Sequence, residues 1–162
     1  MKQFLALATA VALAGCGLHP LYSGGSQGSV AQALSGISVS PIQGKGGWLM
    51  RNALNDRLSA SGPSRYRLEV TLEDKIEGFG VRRDDAITRE RRSLRARFQL
   101  IDASKGTVLL DATAGSDAGI DAVSSEYATI AAEDTALENL SQTVADQIVA
   151  RVALYAQRSG AQ

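Results

Sequence analysis

The sequence predicts an α+β sandwich: two helices packed on a four-stranded, mostly antiparallel sheet, in the order β-α-β-β-β-α within a single domain. Three observations carry that reading. Two neighbouring stretches, "YRLEVTLEDKIEG" and "TRERRSLRARFQLI", alternate apolar and polar residues, the period of strands buried on one side. Two other stretches, one after residue 47 and one after residue 123, repeat apolar residues every three or four positions, the period of a helix with one buried face. The strands together present one apolar face, and two amphipathic helices suffice to cover it.

The chain opens with Lys2, then an apolar run from Phe4 to Ala14 broken only by Thr9, then Leu13-Ala14-Gly15-Cys16. A positive start, an apolar stretch too short to span a bilayer and small residues before a cysteine make residues 1–15 a signal peptide with a bacterial lipobox. The mature chain is then expected to begin at Cys16, its thiol carrying a diacylglycerol and its amine a further acyl chain. More than one chain gives stable anchoring where a single chain is marginal. Gly17, an uncharged residue after the cysteine, points to the outer membrane. Residues 16–35 include "SGGSQGS" and form an acylated, flexible tether.

The folded domain is expected over residues 36–158, with a short tail at 159–162. "GISVSPI" at 36–42 alternates as a first strand, and Pro41 marks its end or an edge. In "WLMRNALNDRLSASGPS" Met50, Leu54 and Leu58 recur every fourth residue and Gly62-Pro63 stops a helix of about twelve to fourteen residues. The second strand should bury Tyr66, Leu68, Val70, Leu72 and Ile76. The third should bury Leu94, Ala96, Phe98 and Leu100, after a turn near Asp84-Asp85. "TVLLDATAG" continues the meander. A last helix from about Ser124 to Arg158 aligns Tyr127, Ile130, Leu137, Leu140, Val144, Ile148, Val152 and Tyr155 on one face. At 1.5 Å per residue it is about 50 Å long.

Composition narrows the function. The 162 residues carry 17 basic and 17 acidic side chains, so no net charge offers itself to nucleic acid. Cys16 is the only cysteine, which leaves no disulfide framework and no CxxC site. His19, the only histidine, lies in the tether. Gly24-Gly25-Ser26-Gln27-Gly28 has the spacing of a nucleophile elbow but neither the strand-to-helix turn nor a downstream histidine. The acidic pairs Glu73-Asp74, Asp84-Asp85 and Glu133-Asp134 are neighbours in sequence, not converging carboxylates. The expectation is a non-enzyme with no cofactor beyond the lipid on Cys16.

One constellation remains. Arg82, Arg83, Arg89, Arg91, Arg92, Arg95 and Arg97 crowd the second strand's end, the hairpin tip and the third strand. Alternation puts Arg89, Arg91, Arg95 and Arg97 on one face, opposite Leu94, Ala96 and Phe98. A row of planar guanidinium forks suits a multiply phosphorylated ligand. The plainer alternative is that Glu69, Glu73 and Glu77, exposed on the neighbouring strand, pair with them.

The stretches "CGLHPLYSG", "RNALNDRLSASG" and "SSEYATIAAEDTALENLSQTVADQIVARVALYAQR", with the order of elements, resemble the lipopolysaccharide-assembly lipoproteins of the LptE family, in particular the α-proteobacterial type. The resemblance runs from Cys16 to about Arg158. It implies two helices on a four-stranded sheet and a protein that plugs, and helps assemble, an LptD-like outer-membrane β-barrel, the lipopolysaccharide translocon. It implies lipopolysaccharide as a ligand, and a location on the periplasmic side of the outer membrane or in the barrel lumen. By position Arg82 and Arg83 match the family's basic site, with Arg89 and Arg91 beside them as further candidates. A second basic position of the family has no counterpart, because "TAGSDAGIDAVSSEY" holds no Lys or Arg. The competing assignment is an auxiliary lipoprotein of a periplasm-spanning ABC-type lipid-transport system.

Overall fold

The two alternating stretches form the longest strands of a computed structural model that describes residues 34–58, 64–81, 87–123 and 125–160. Strand β2 (Tyr66–Val81) runs antiparallel to β3 (Ile87–Asp102), with Leu68 opposite Leu100 and Glu73 opposite Arg95. β4 (Val108–Asp121) continues the meander, with an irregularity in register between Leu100 and Ile101. β1 (Ile37–Val39) lies parallel to β2, Ile37 against Tyr66, and completes a sheet of order β1-β2-β3-β4. A parallel pair needs a crossover, and helix α1 (Gly44–Leu58) supplies it. Helix α2 (Glu126–Gly160) follows β4. The expected order β-α-β-β-β-α is the observed one, and β1 makes the sheet mixed.

Helix α1 starts four residues before Trp48, at Gly44, whose φ of 79° is in the left-handed region open to glycine. Gly47 lies so close to Ile42 that a Cβ there would sit 2.5 Å from its carbonyl oxygen, and this contact sets the entry of the helix. Met50, Leu54 and Leu58 are buried as their spacing predicts. Two ion pairs, Lys45 with Asp134 at 2.7 Å and Arg57 with Asp146 at 2.5 Å, rise in number along both helices, so α1 and α2 lie side by side in the same direction. The core joins Leu68, Leu94, Phe98 and Leu100 of the sheet to Met50 and Leu54 of α1 and Leu137, Val144, Ile148 and Val152 of α2.

Four expectations are corrected. β1 spans three residues rather than 36–42; the Ser40 amide still donates to the Leu68 carbonyl at 2.9 Å, but Pro41 has no amide to continue. β4 extends past "TVLLDATAG" through "SDAGID", because its register with β3 holds as far as Arg89 against Asp121 and outweighs the weak strand preference of Gly and Asp. The buried face of α2 begins at Ala136 and Leu137, not Tyr127. Tyr127 is 84% and Ile130 49% exposed, since α1 begins level with Asp134 and among the described residues no element covers the first turns. Ile76, expected in the core, is exposed for the same reason: β2 runs on past Leu72, which faces the first turn of α1 near Gly46. α2 itself continues two residues past Arg158.

The sandwich therefore has a sealed end, where the helices cover the sheet, and a distal end where β2, β3, β4 and the first turns of α2 project beyond α1. The expected signal peptide at 1–15, Cys16 with its expected lipid and the expected tether as far as residue 33 lie outside the described residues, whereas Leu34, expected in the tether, is buried in the core. So do the Gly62-Pro63 stop and the hairpin tip with Arg82, Arg83, Asp84 and Asp85.

Candidate functional site

Alternation along β3 divides its arginines between two faces. Leu94, Ala96 and Phe98 point under the helices and are fully buried, whereas Arg89, Arg91, Arg95 and Arg97 stand on the outer face, which neither helix covers. Arg92 shares the parity of Leu94 and goes inward, only 8% exposed. Its Nε and Nη2 donate to the two carboxylate oxygens of Asp74 at 2.8 and 2.6 Å, and Nη1 donates to the Glu133 carbonyl at 2.7 Å. One guanidinium thus ties β2, β3 and α2 together. Glu90, one step toward the distal end on the same face, has its carboxyl pushed up by burial and by the facing Glu133.

The outer face is a ladder of ion pairs. Arg97 forks onto Asp111, Nε to Oδ1 at 3.1 Å and Nη2 to Oδ2 at 2.7 Å, and the Gln99 amide adds a third bond at 2.8 Å. Together they lower the Asp111 carboxyl to about 2, Arg97 contributing most. Arg95 reaches both oxygens of Asp117 at 3.0 Å; the Ser93 hydroxyl, first, and then Arg95 hold that carboxyl below its ordinary value. Arg89 donates to Asp121 at 3.1 Å.

The expected partners were the glutamates of β2. Glu73 does sit opposite Arg95, and Glu77 opposite Arg91, but Glu73 pairs with Lys75 at 2.6 Å and Glu69 with Arg67 at 2.9 Å. The arginines turn to β4 instead. For Arg95 glycine makes this possible: a Cβ on Gly115 would lie 2.5 Å from the Arg95 Cδ, so the bare backbone there is the bed on which Arg95 crosses to Asp117. Arg91 differs from its neighbours. The residue opposite it on β4 is Gly119, and its guanidinium lies over the Phe79 ring, 5.3 Å from the centroid. Of the four arginines singled out as ligand candidates, Arg89 and Arg91 thus share the outer face at the distal end, while Arg82 and Arg83 lie outside the described residues.

Two further features escaped the reading of the sequence. Alternation leaves Arg92 off the outer face, but its inward tie to Asp74 and the Glu133 carbonyl has no signature in the sequence. The acidic ladder Asp111, Asp117 and Asp121 was hidden because residues 116–121 look like a connector. The free edge of β4 is partly closed by α2. The Gln147 side-chain amide accepts from the Gly115 N–H at 3.2 Å and donates to its carbonyl at 3.3 Å, and Arg151 donates to the Thr113 carbonyl. Among the described residues no three His, Cys, Asp or Glu side chains could hold a metal ion, and no helix is long and apolar enough to cross a membrane.

The LptE lipopolysaccharide-assembly profile matches residues 34–152. Solved structures share the fold. A protein from Caulobacter crescentus CB15 described as a lipoprotein is 24% identical, with 80% of this chain and 98% of that one aligned at a TM-score of 0.67. A minor lipoprotein from Acinetobacter baumannii is 16% identical, over 73% and 90% of the two chains, at 0.61. The rare lipoprotein B from Shewanella oneidensis is 12% identical, over 72% and 92%, at 0.56. No curated protein matches the sequence.

Proposed function

The chain belongs to the LptE family of lipopolysaccharide-assembly proteins, and on that premise we propose that it is a non-catalytic, lipid-anchored plug and assembly factor of an outer-membrane β-barrel, the LptD-like lipopolysaccharide translocon. The observation that carries the reading is the outer face of the sheet. It is broad, uncovered by either helix, and dressed in alternating Arg and Asp that neutralise one another. Such a face can sit in a polar lumen without repelling its walls and without presenting an apolar belt to lipid. The acyl chains on Cys16 would hold the domain beside the barrel and raise its effective concentration there without adding a contact.

Lipopolysaccharide is the proposed ligand, taken at the distal end by Arg82, Arg83, Arg89 and Arg91. Two local features support the described pair. Arg91 rests on an aromatic ring, which orients the fork and leaves its N–H edges for a phosphate. Arg89 is paired with Asp121, but both are well exposed, and an exposed pair contributes less than about 1 kcal/mol, so a doubly charged phosphate can displace the carboxylate. Arg95 and Arg97 are committed to Asp117 and Asp111, and Arg92 is buried.

The test is recovery of a C-terminally tagged chain from outer membranes in mild detergent. A stoichiometric large barrel whose gel mobility changes on heating bears the proposal out. Recovery alone, or with components of an inner-membrane transporter, overturns it in favour of an auxiliary transport lipoprotein. For the ligand, Arg82→Glu with Arg83→Glu should weaken lipopolysaccharide binding and leave barrel association intact. Wild-type ligand binding by that double variant removes the tip from the site.

A further inference from the structure

The two halves of the β4 edge are treated differently. In an antiparallel strand, alternate residues turn both backbone polar groups toward one neighbour. Thr113 and Gly115 turn theirs away from β3, where Gln147 and Arg151 of α2 meet them. By the same alternation Asp117, Gly119 and Asp121 turn three N–H and three C=O groups to the same edge, and the bonds from α2 stop at Gly115. An edge of this kind is a template for another strand unless charge, proline or a covering element blocks it. Here the carboxylates of Asp117 and Asp121 are drawn to Arg95 and Arg89 on the outer face, and Gly119 has open space where a side chain would be. Beside the edge lies a groove of about 480 Å³ whose walls include Ala118 and Ile120 of β4 and Ala131, Ala132 and Ala136 of α2.

A second copy of this chain fits poorly. Antiparallel self-pairing that uses all three residues centres on Gly119 and sets Asp117 opposite Asp121 twice, like charges directly across a ladder. The strands of a closed barrel wall already have both neighbours, which leaves loops or an unpaired terminal segment. We propose that the distal edge of β4 takes up an extended loop or terminal segment of the barrel partner as a fifth strand, with small apolar residues toward the groove and neutral or basic residues across from Asp117 and Asp121. The partner's identity rests on the reading above; the edge, its polarity and its length come from the fold.

The experiment uses the full-length chain co-expressed with the barrel subunit. Gly119→Pro deletes an outward N–H while residue 119 gives no bond to β3, so the sheet keeps its ladder. Gly119→Ala retains the N–H and fits the open space. Wild type and Gly119→Ala should recover barrel equally, and Gly119→Pro about tenfold less. A photo-cross-linking amino acid in place of Gly119 should yield an adduct in one extended loop or terminal segment of the barrel subunit, and an adduct confined to the barrel's wall strands overturns the fifth strand. Equal recovery with Gly119→Pro overturns the fifth strand while the plug reading survives, whereas no barrel with the wild-type chain overturns the plug reading itself and the partner assigned here. An adduct between two copies of the chain overturns the occupant. If Gly119→Pro does not fold, the cross-link decides: an adduct mapped to a loop or terminal segment supports the strand, and an adduct only on wall strands, or none, overturns it.

Discussion

Toward Asp102, β3 is held between Phe98, Leu100 and the sealed face of α2; toward Ile87 it offers Glu90, Arg91 and Arg92 to carboxylates, a carbonyl and a ring. The same strand, with the same alternation, is a core element at one end and a polar scaffold at the other. The cause is the reach of α1, which begins level with Leu72 and Asp134 and leaves β2 and β3 beyond it largely without apolar cover, while Ile120 of β4 stays buried. Stability is therefore concentrated at the closed end. The distal end is held by a few charged bonds and by Ile120, and leaves more of its surface open.

The contrast can be broken most directly by Phe98→Ala. Phe98 has no solvent exposure, and its loss should cost about 3–5 kcal/mol in urea unfolding. A cost under about 1 kcal/mol would mean that the closed end is not where the fold is held. Next is Arg92→Ala, which leaves Asp74 facing the inner side and the Glu133 carbonyl without its donor; about 2 kcal/mol should be lost. Amide exchange should accelerate in residues 126–133 but not around Val144. Arg92→Lys should recover only part of this, because a single ammonium cannot replace the fork. Uniform acceleration along α2 would show that the two ends are not independent.

Smaller effects separate the faces by pH. The Asp111 carboxyl lies lower in the fold than its ordinary 3.8, at about 2, so the fold favours its ionised form. That contribution is full above about pH 4 and fades as pH falls toward 2, and the Tm of Asp111→Asn should follow a shallower slope there. Glu90 is shifted the other way, so its contribution is present at low pH and is lost as pH rises through its elevated value. Glu90→Gln should flatten the slope on that side. Least for stability and most for the proposed ligand is Arg91→Gln. We expect less than about 0.5 kcal/mol of change in unfolding, with weaker lipopolysaccharide binding. Arg95→Gln, whose guanidinium is already occupied, should bind as wild type does.

Periodicity made the closed end legible. Met50, Leu54 and Leu58, the alternation from Tyr66 to Leu72 and from Leu94 to Leu100, and the face from Leu137 to Val152 are all where spacing puts them. It failed where packing changes the rule. Tyr127, Ile130 and Ile76 keep the apolar pattern of their elements but lie beyond the reach of α1, which starts at Gly44. "SDAGID" lacks strand-forming residues and is held in the sheet by β3. The outer arginines were assigned to the right face, but their partners were not legible: nothing in the pattern showed that β4 would extend far enough to offer Asp117 and Asp121, and for Arg95 the crossing depends on the missing Cβ of Gly115.

β1 contributes three rungs, and its partner Tyr66 stands 29 residues along the chain from Ile37, while β2, β3 and β4 meet their neighbours through consecutive turns. During synthesis the amino end emerges first, yet β1 has no strand to pair with until β2 has formed. The meander can assemble early and cheaply, and the edge nearest the amino terminus closes last. The same three rungs are the first to feel any pull that enters the domain from that end, so they set the load at which it begins to open.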